Sequence, residues 1–208
     1  MRVGVVVGLE AEARIARRFA KDVIAAPGHY AMQAADTLAS RGCDLLLSFG
    51  IAGALVDTLR PGDLVIATGI VTKRGQFDAS QSMQVNVPHR KGLVYGADEA
   101  IARIDDKKRL ALSSQCIAVD LESGHVATVA NRRGRRAAVL RAIADPATRE
   151  IPPAALVGLD ANGNTRPGAV IAALLRDPKQ LGGVIRVAFD ARAAMERLSV
   201  LADRIHIG

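Results

Sequence analysis

Short and nearly continuous apolar runs recur along this chain, and segments with helical periodicity separate them. The clearest runs cover residues 3–7, 45–47, 64–71 and 137–143. Strands that are buried on both faces have this pattern, because helices cover both sides of a parallel sheet. The alternation therefore predicts an α/β fold with three layers.

The segments between these runs complete the outline. Residues 73–92 are rich in Gln, Lys and Arg, so we predict a loop over one face of the sheet. The sequence of residues 160–164 is typical of a turn. No repeat, low-complexity tract or linker interrupts the pattern, so we expect one domain over residues 1–208. The predicted helices cover residues 10–20, 31–40, 98–104, 121–132, 167–177 and 189–205.

Composition limits the classes of partner. Half of the residues are hydrophobic but only 3% are aromatic, so Ala, Val, Leu and Ile supply the core. The formal net charge is +7 and the pI is near 10, which is compatible with nucleic acid, an anionic membrane surface or phosphorylated ligands. Proteins that bind single-stranded nucleic acid stack bases on aromatic side chains, which are scarce here. An Arg-rich, solvated surface is the simpler explanation, and we expect no nucleic-acid partner.

The cysteines and the apolar segments bear on location. Cys43 and Cys116 lie in apolar surroundings without the spacing of a metal or redox site. Two thiols in a chain of this length suggest a reducing compartment. No uncharged apolar stretch reaches the ~18 residues typical of a spanning helix, and the first residues make a poor signal peptide. We therefore expect a cytoplasmic protein, with peripheral contact at the inner membrane left open.

Carboxylates follow several of the apolar runs. Asp120 and Glu122 come after the run at 116–119, and Asp145 comes after the run at 137–143. The carboxyl ends of parallel strands meet at one edge of an open α/β sheet, which is where such sheets bind ligands. The sequence therefore predicts an acidic site at this edge.

These acids match the needs of one reaction, the cleavage of the glycosidic bond of a nucleoside. Departure of a purine from ribose requires a general acid near the ring nitrogen, an acceptor for the ribose hydroxyls and a base for the nucleophile. Asp145 can be the acid if burial raises its pKa, Glu122 can accept both hydroxyls, and Glu12 can take a proton from water. Each also has a simpler explanation: Asp145 as a turn residue, Glu122 as a partner of the helix dipole, and Glu12 as a surface charge.

Four stretches resemble one family when they are taken together. They are VGVVVGLEAEA (3–13), SFGIAGALVDTLRPGDLVIA (48–67), CIAVDLESGHVA (116–127) and VLRAIAD (139–145). In this order they resemble the purine nucleoside phosphorylase/uridine phosphorylase superfamily, especially the methylthioadenosine/S-adenosylhomocysteine nucleosidases. The resemblance implies a central mixed, mostly parallel twisted sheet, a small-molecule nucleoside substrate and a homo-oligomer.

The resemblance also implies roles for individual residues. Glu12 matches the family's water-activating glutamate, Glu122 its ribose-hydroxyl glutamate, and Asp145 its catalytic aspartate. Within the ribose motif Asp replaces the usual Glu, and Leu replaces a methionine that packs on ribose. The further positions expected to contact substrate are Asp120, Leu121, Ile51, Ala52 and Gly53.

The C-terminal part narrows the resemblance. Residues 151–198 and the FGIAGAL loop resemble the hopanoid-associated phosphorylase branch, whose members are thought to remove adenine from adenosylhopane. This resemblance implies adenine release in hopanoid biosynthesis from a nucleoside with a triterpenoid at its 5′ carbon. Such a substrate needs a wide apolar opening, which the Ala- and Leu-rich tail could line. The basic surface could hold the enzyme at an anionic membrane.

One departure from the family pattern bears on the nucleophile. Phosphorylases of the superfamily hold phosphate with an arginine and a serine around the glycine loop, where this chain has Ser48 and Ile51. Since Glu12 is present, this difference favours water over inorganic phosphate. Arg14 or Arg74 remains a candidate for a phosphate contact.

A second departure bears on the base. The segment expected to supply a base-stacking aromatic, YGADEAIA (95–102), contains no Phe, so Asp98 and the local backbone become the candidates. No cofactor or metal is implied, because water or phosphate is the co-substrate. Three alternatives stay open: phosphorolysis to a ribose 1-phosphate product, methylthioadenosine/S-adenosylhomocysteine nucleosidase activity, and a nucleoside-binding sensor without catalysis. A dinucleotide site is disfavoured, since no G-x-G-x-x-G follows the first run.

Overall fold

The computed structural model describes residues 1–79, 83–158 and 166–207, over which strands and helices alternate. The turn predicted at residues 160–164 lies outside these ranges. The elements are β1 (Val3–Val7), α1 (Glu10–Ala16), β2 (Asp22–Ala25), α2 (Tyr30–Ser40), β3 (Leu45–Ala54), β4 (Leu64–Thr72), β5 (Gly75–Asp78), β6 (Met83–Val85), β7 (Arg90–Gly96), α3 (Ile104–Ser114), β8 (Ala118–Asp120), α4 (Ser123–Arg132), β9 (Arg136–Asp145), α5 (Pro153–Leu156), α6 (Pro167–Arg176), a 3₁₀ turn (Pro178–Gln180), α7 (Leu181–Ala202) and β10 (Ile205–Ile207).

The central sheet is mixed, and β3 lies in its middle. β3 pairs in parallel with β1 on one side and with β9 on the other, and β2 extends the sheet beyond β1. β4 is antiparallel to β9 and β5 and parallel to β7. The short β8 connects β7 to the last residues of β3. Most of these pairings are parallel, so the predicted mixed and mostly parallel sheet is confirmed.

Helices cover both faces of the sheet, which confirms the three predicted layers. α2 and α4 pack on one face, and α1 and α7 pack on the other. Small side chains allow close approach: a Cβ added at Gly4 of β1 would lie only 2.9 Å from Cβ of Leu38 on α2. Small and aliphatic side chains therefore fill the space between helices and sheet, which agrees with the scarcity of aromatic residues.

The helix predicted at residues 98–104 is wrong, because α3 begins only at Ile104. The backbone of this segment forms a hydrogen bond with a distant part of the chain. The carbonyl of Ala102 accepts a hydrogen bond from the N–H of Ile151 at 3.0 Å. That bond replaces a helical one and holds the segment beside the loop after β9.

The loop predicted at residues 73–92 is also wrong in part, since β5, β6 and the start of β7 lie there. β5 forms an antiparallel hairpin with β4 and is mostly exposed, so its sequence lacks an apolar run. The first predicted helix ends early, at Ala16. The last helix, α7, begins earlier than predicted, at Leu181, and β10 then pairs with β6.

Candidate active site

A cleft of about 260 Å³ opens where β1, β3, β8 and β9 end. Leu9, Pro27, Ile101 and Ile151 give part of its wall an apolar character. The cleft brings together residues from α1, β3, β8 and β9 that are far apart in sequence. It is lined by all but one of the site residues predicted from the sequence, namely Glu12, Ile51, Ala52, Gly53, Asp120, Leu121, Glu122 and Asp145.

Glu12 projects from the first turn of α1 and is 2% exposed. Its Oε2 accepts hydrogen bonds from the N–H groups of Gly8 (3.0 Å) and Leu9 (2.8 Å), and its Oε1 accepts one from Ile51 (2.8 Å). Burial raises the pKa of Glu12, while Arg141 and these three N–H groups act in the opposite direction. The carboxylate therefore links α1 to β3 in a fixed orientation.

Arg141 was not predicted as a site residue, yet it forms hydrogen bonds with Asp120 and Glu122. It lies in the middle of β9 and is fully buried. Its Nε donates to Oδ2 of Asp120 (2.7 Å), and its Nη2 donates to Oγ of Ser48 (2.6 Å) and to Oε2 of Glu122 (3.4 Å). The sequence did contain a sign of this role, namely an arginine within an apolar run. A buried charge must be paired, so such an arginine indicates buried acidic partners.

Glu122 comes at the start of α4 and faces the same arginine. Its Oε1 accepts a hydrogen bond from the N–H of Gly28 at 3.1 Å. Burial raises the pKa of Glu122 to about 7; Arg141 opposes this shift, and Asp120 and Glu12 add to it. This carboxyl is therefore poised to change charge near neutral pH.

Asp120 lines the cleft, but its oxygens are used within the protein. Oδ2 accepts from Arg141, and Oδ1 accepts from the N–H groups of Glu122 (3.1 Å) and Ser123 (2.8 Å). These bonds cap the start of α4. The geometry thus gives Asp120 a supporting position behind Glu122, and its predicted contact with substrate stays a prediction.

Asp145 ends β9 and is partly exposed to the cleft, with 14% of its side chain accessible. Its Oδ2 accepts a hydrogen bond from Nζ of Lys107 on α3. Burial raises the pKa of Asp145, although the Lys107 ammonium acts against this shift. Lys107, like Arg141, was not among the residues predicted from the sequence.

Glycines make room for the three carboxylates. A Cβ at Gly50 would lie 2.5 Å from Oε1 of Glu12 and 2.7 Å from Nη1 of Arg141, so both atoms lie beside the same point of β3. Gly50 also has φ of +154°, which disfavours any side chain. A Cβ at Gly53 would lie 3.0 Å from Oδ1 of Asp145. This glycine-containing segment was expected to be a loop, but it belongs to β3, and its glycines admit the carboxylates of Glu12 and Asp145.

The structure places Asp98 outside the cleft. Its carboxylate pairs with Lys73 at 3.4 Å in a separate shallow depression that also contains Arg74 and His125. The neighbouring residues 99–101 line the cleft instead. Arg14 is exposed on α1 and does not line the cleft. Within the described ranges, no group of three or more His, Cys, Asp and Glu side chains could hold a metal ion.

The fold and the cleft define a three-layer α/β protein with a carboxylate-lined ligand site at the sheet edge. The sequence profile of the phosphorylase superfamily matches residues 25–80 and 76–176, and the chain belongs to that superfamily. It is accordingly a nucleoside hydrolase or phosphorylase, an enzyme class that cleaves the N-glycosidic bond of nucleosides. The superfamily predicted from the four sequence stretches is confirmed.

Solved structures with the same fold include three bacterial nucleosidases. A Helicobacter pylori 5′-methylthioadenosine/S-adenosylhomocysteine nucleosidase in complex with a nucleoside analogue superposes with a TM-score of 0.67 at 16% identity, covering 98% of each chain. The futalosine hydrolase of the same species has a TM-score of 0.65 at 17% identity, covering 98% of this chain and 97% of the other. A Streptococcus pyogenes S-adenosylhomocysteine nucleosidase has a TM-score of 0.62 at 15% identity, covering 97% of each. A search of the curated proteins found no match.

Proposed function

We propose that the protein hydrolyses the N-glycosidic bond of a 5′-substituted purine nucleoside and releases adenine. The observation that carries this proposal is the convergence of Glu12, Glu122 and Asp145 on one cleft. Asp145 donates a proton to a purine ring nitrogen as the C1′–N bond breaks, and the bonding electrons leave with the base. Water then adds to C1′ and gives its proton to Glu12. The products are adenine and the free 5′-substituted ribose, with no cofactor required.

The environment of each carboxyl supports its role. An acid that must be protonated near neutral pH needs a raised pKa, which burial gives Asp145. Glu122 keeps acceptor capacity for the two ribose hydroxyls, because each carboxylate oxygen has two acceptor sites. Nη1 of Arg141 has no hydrogen-bond partner among the described residues and lies beside Oε1 of Glu12. The positive charge of Arg141 favours the carboxylate form of Glu12, which is the form that a base needs.

Water is favoured over phosphate by the charges of the cleft. Arg141 is shared between Asp120, Glu122 and Ser48, so its charge is largely neutralised. The hydroxyl of Ser48 is buried against Arg141, and Ile51 offers no donor side chain. Neither Arg14 nor Arg74 lines the cleft. A phosphate dianion would therefore meet several carboxylates and few free donors.

The apolar wall supports a substrate with a large apolar 5′ group, as the resemblance to the hopanoid-associated branch suggests. Leu9, Pro27, Ile101 and Ile151 line the cleft. The chain continues from Ile151 into α5 to α7, whose exposed faces are rich in apolar residues. We therefore propose adenosylhopane as the substrate, with ribosylhopane as the second product of this step in hopanoid biosynthesis. The backbone of residues 99–101 is the proposed contact for the base.

Adenine release tests the reaction and the nucleophile together. Purified protein is incubated with adenosylhopane, methylthioadenosine or S-adenosylhomocysteine, each with and without inorganic phosphate. We expect phosphate-independent release, fastest from adenosylhopane. Strict phosphate dependence would establish phosphorolysis, and preference for a small thioether nucleoside would remove the hopanoid assignment.

Asp145→Asn separates an enzyme from a nucleoside-binding sensor. Because Asn cannot donate the proton, we expect kcat to fall by about 10²–10⁴-fold with little change in KM. Asp98→Asn, which changes a carboxylate outside the cleft, is the matched control and should retain the native rate. A native protein that binds these nucleosides but releases no adenine is a sensor.

The apolar surface of α6 and α7 supports peripheral contact with an anionic membrane from the cytoplasmic side. Among the helices of the described chain, none is both long and apolar enough to cross a membrane. Residues 166–192 carry five basic side chains against two acidic ones, and the exposed apolar residues lie among them. The exposed apolar residues are Ile171, Leu175, Leu181, Ile185 and Phe189.

We also propose a homo-oligomer, as the superfamily resemblance implies, and light scattering of the purified protein tests it.

A further inference from the structure

Lys107 is a fully buried lysine whose charge serves no role in the reaction described so far. It lies in the first turn of α3 and is the buried residue of that helix. Removing an ammonium group from water is costly unless it is paired and hydrogen-bonded. Its position therefore calls for an explanation that a surface lysine does not need.

The three N–H donors of Lys107 all have partners. Nζ donates to the carbonyl oxygens of Pro146 and Arg149, each at 3.0 Å, and to Oδ2 of Asp145. An ammonium group has three donors, so none is left for a ligand. Lys107 thus cannot contact substrate itself, and its influence on the cleft passes through Asp145.

The hydrogen bonds from Lys107 to the two carbonyl oxygens fix the direction of its third hydrogen bond, to Asp145. Both carbonyls belong to the loop that follows β9, so the ammonium is held between this loop and the end of the strand. Oδ2 of Asp145 is then occupied, and Oδ1 is the oxygen left to face a ligand. A Cβ at Gly53 would lie 3.0 Å from Oδ1 and 3.1 Å from Oδ2, so the whole carboxyl group lies against the backbone of a glycine.

We propose that Lys107 is a positioning residue for the cleavage reaction: it holds Oδ2 of Asp145, leaves Oδ1 to protonate the purine, and stabilises the carboxylate that remains. This inference rests on the proposed function. Before the step Asp145 is a neutral acid that accepts from Lys107; afterwards it is an anion in an ion pair with Lys107. The interaction is therefore stronger after proton transfer than before, which is the condition for accelerating that step.

The charged groups around Asp145 set the expected pH response. Lys107 faces it from α3, Arg149 from the loop after β9, and Asp190 from α7. Lys107 is the largest influence that opposes burial. Removing this ammonium leaves burial less opposed, so the pKa of Asp145 rises further. Since the protonated acid is the active form, the alkaline limb of kcat/KM should move to higher pH.

The test compares Lys107→Met with Lys108→Met, which removes an exposed charge from the next position of α3. Adenine release is measured from pH 5 to 10 with whichever nucleoside the native enzyme cleaves fastest. For Lys107→Met we expect kcat to fall about tenfold or more, and the alkaline limb to rise by about one pH unit. KM should change little, and Lys108→Met should match the native profile.

A double variant separates positioning from a purely structural role. If Lys107 acts through Asp145, adding Lys107→Met to Asp145→Asn should cause no further loss of kcat. The double variant also removes both buried charges together, so it should fold even if Lys107→Met alone does not. Lys107→Arg, which keeps the cation, should retain the native alkaline limb.

Two results overturn the proposal without touching the reaction itself. One is an unmoved alkaline limb in Lys107→Met, with lower thermal stability alone. The other is a multiplicative loss of kcat in the Asp145→Asn background. If the native enzyme releases no adenine from any of the nucleosides, the proposed function fails instead, and the two failures are thereby distinguished.

Discussion

Glu12, Glu122 and Asp145 are similar in chemistry, and burial raises the pKa of each, yet their neighbours differ. Glu12 accepts three backbone N–H groups, which favour its charged form and suit a base. Asp145 faces one buried ammonium, which can stabilise the anion formed when it acts as an acid. Glu122 lies between an arginine and two other carboxylates. These surroundings support the three different roles proposed for residues of the same chemical type.

Glu122 predicts the acidic limb of the pH profile. Its folded pKa of about 7 lies above the ordinary value for a glutamate, and only its carboxylate form accepts both ribose hydroxyls. As pH falls through 7 the carboxyl is protonated, and kcat/KM should fall with it. Glu122→Gln should abolish this limb and lower kcat/KM by about 10–100-fold at pH 8, because hydrogen bonds to a charged group are lost.

The measurement is kcat/KM for adenine release between pH 5 and 9. Glu10→Gln, which alters an exposed carboxylate on the same side of the fold as Glu12, is the control and should keep the native limb. An acidic limb that persists in Glu122→Gln would assign the titration to another group, with Glu12 as the next candidate.

At the scale of the elements, β9 shows what the sequence could and could not predict. Its apolar run predicted a buried strand, and Asp145 at the end of that strand lines the cleft, because strand ends meet at the sheet edge. Arg141 within the same run was missed, since its partners Asp120 and Ser48 belong to β8 and β3 and only the folded sheet brings them together. Register between distant strands is a tertiary property.

α3 shows a different reason for failure. A helix was predicted at residues 98–104, whereas α3 covers Ile104–Ser114. Residues 98–103 follow an irregular path instead, and Ala102 is hydrogen-bonded to Ile151. The error placed Lys107 in no predicted element, so its position beneath Asp145 could not be inferred. By contrast, the helices predicted at residues 31–40 and 121–132 agree closely with α2 and α4.

Breaking the buried ion pair of Arg141 should lower the free energy of unfolding more than breaking an exposed ion pair. Arg141→Met leaves the buried carboxylate of Asp120 without its counter-charge, and we expect a loss of about 3–5 kcal/mol in the free energy of unfolding. Arg132→Met breaks an exposed pair with Asp36 and should cost less than about 1 kcal/mol. Urea unfolding at pH 7.5 measures both.

A double variant controls for packing at this position. In Asp120→Asn/Arg141→Met no unpaired charge remains between these two groups, so part of the lost stability should return. If the single and double variants unfold at the same urea concentration, the loss in Arg141→Met reflects packing rather than an uncompensated carboxylate.

At the scale of the whole molecule, the positive charge and the apolar face of α6 and α7 point to the same partner. Leu175 on α6 is 79% exposed and Phe189 on α7 is 67% exposed. Basic side chains near an anionic surface contribute about 1 kcal/mol each, and apolar side chains that enter it add to this. Under the proposed membrane contact, a lipid-linked nucleoside would reach the cleft from the membrane surface.

This arrangement predicts binding to phosphatidylglycerol vesicles that exceeds binding to phosphatidylcholine vesicles and weakens as salt is raised. Leu175→Ser/Phe189→Ser should reduce vesicle binding about tenfold or more, because two large apolar side chains are lost. Adenine release from a water-soluble nucleoside should be unchanged, since neither residue lines the cleft. Leu112→Ser, at an 84% exposed leucine on α3, is the matched control and should bind like the native protein.

Equal binding to both lipids would contradict an electrostatic contribution. Loss of self-association in the double variant, with vesicle binding intact, would assign this face to a second copy of the chain.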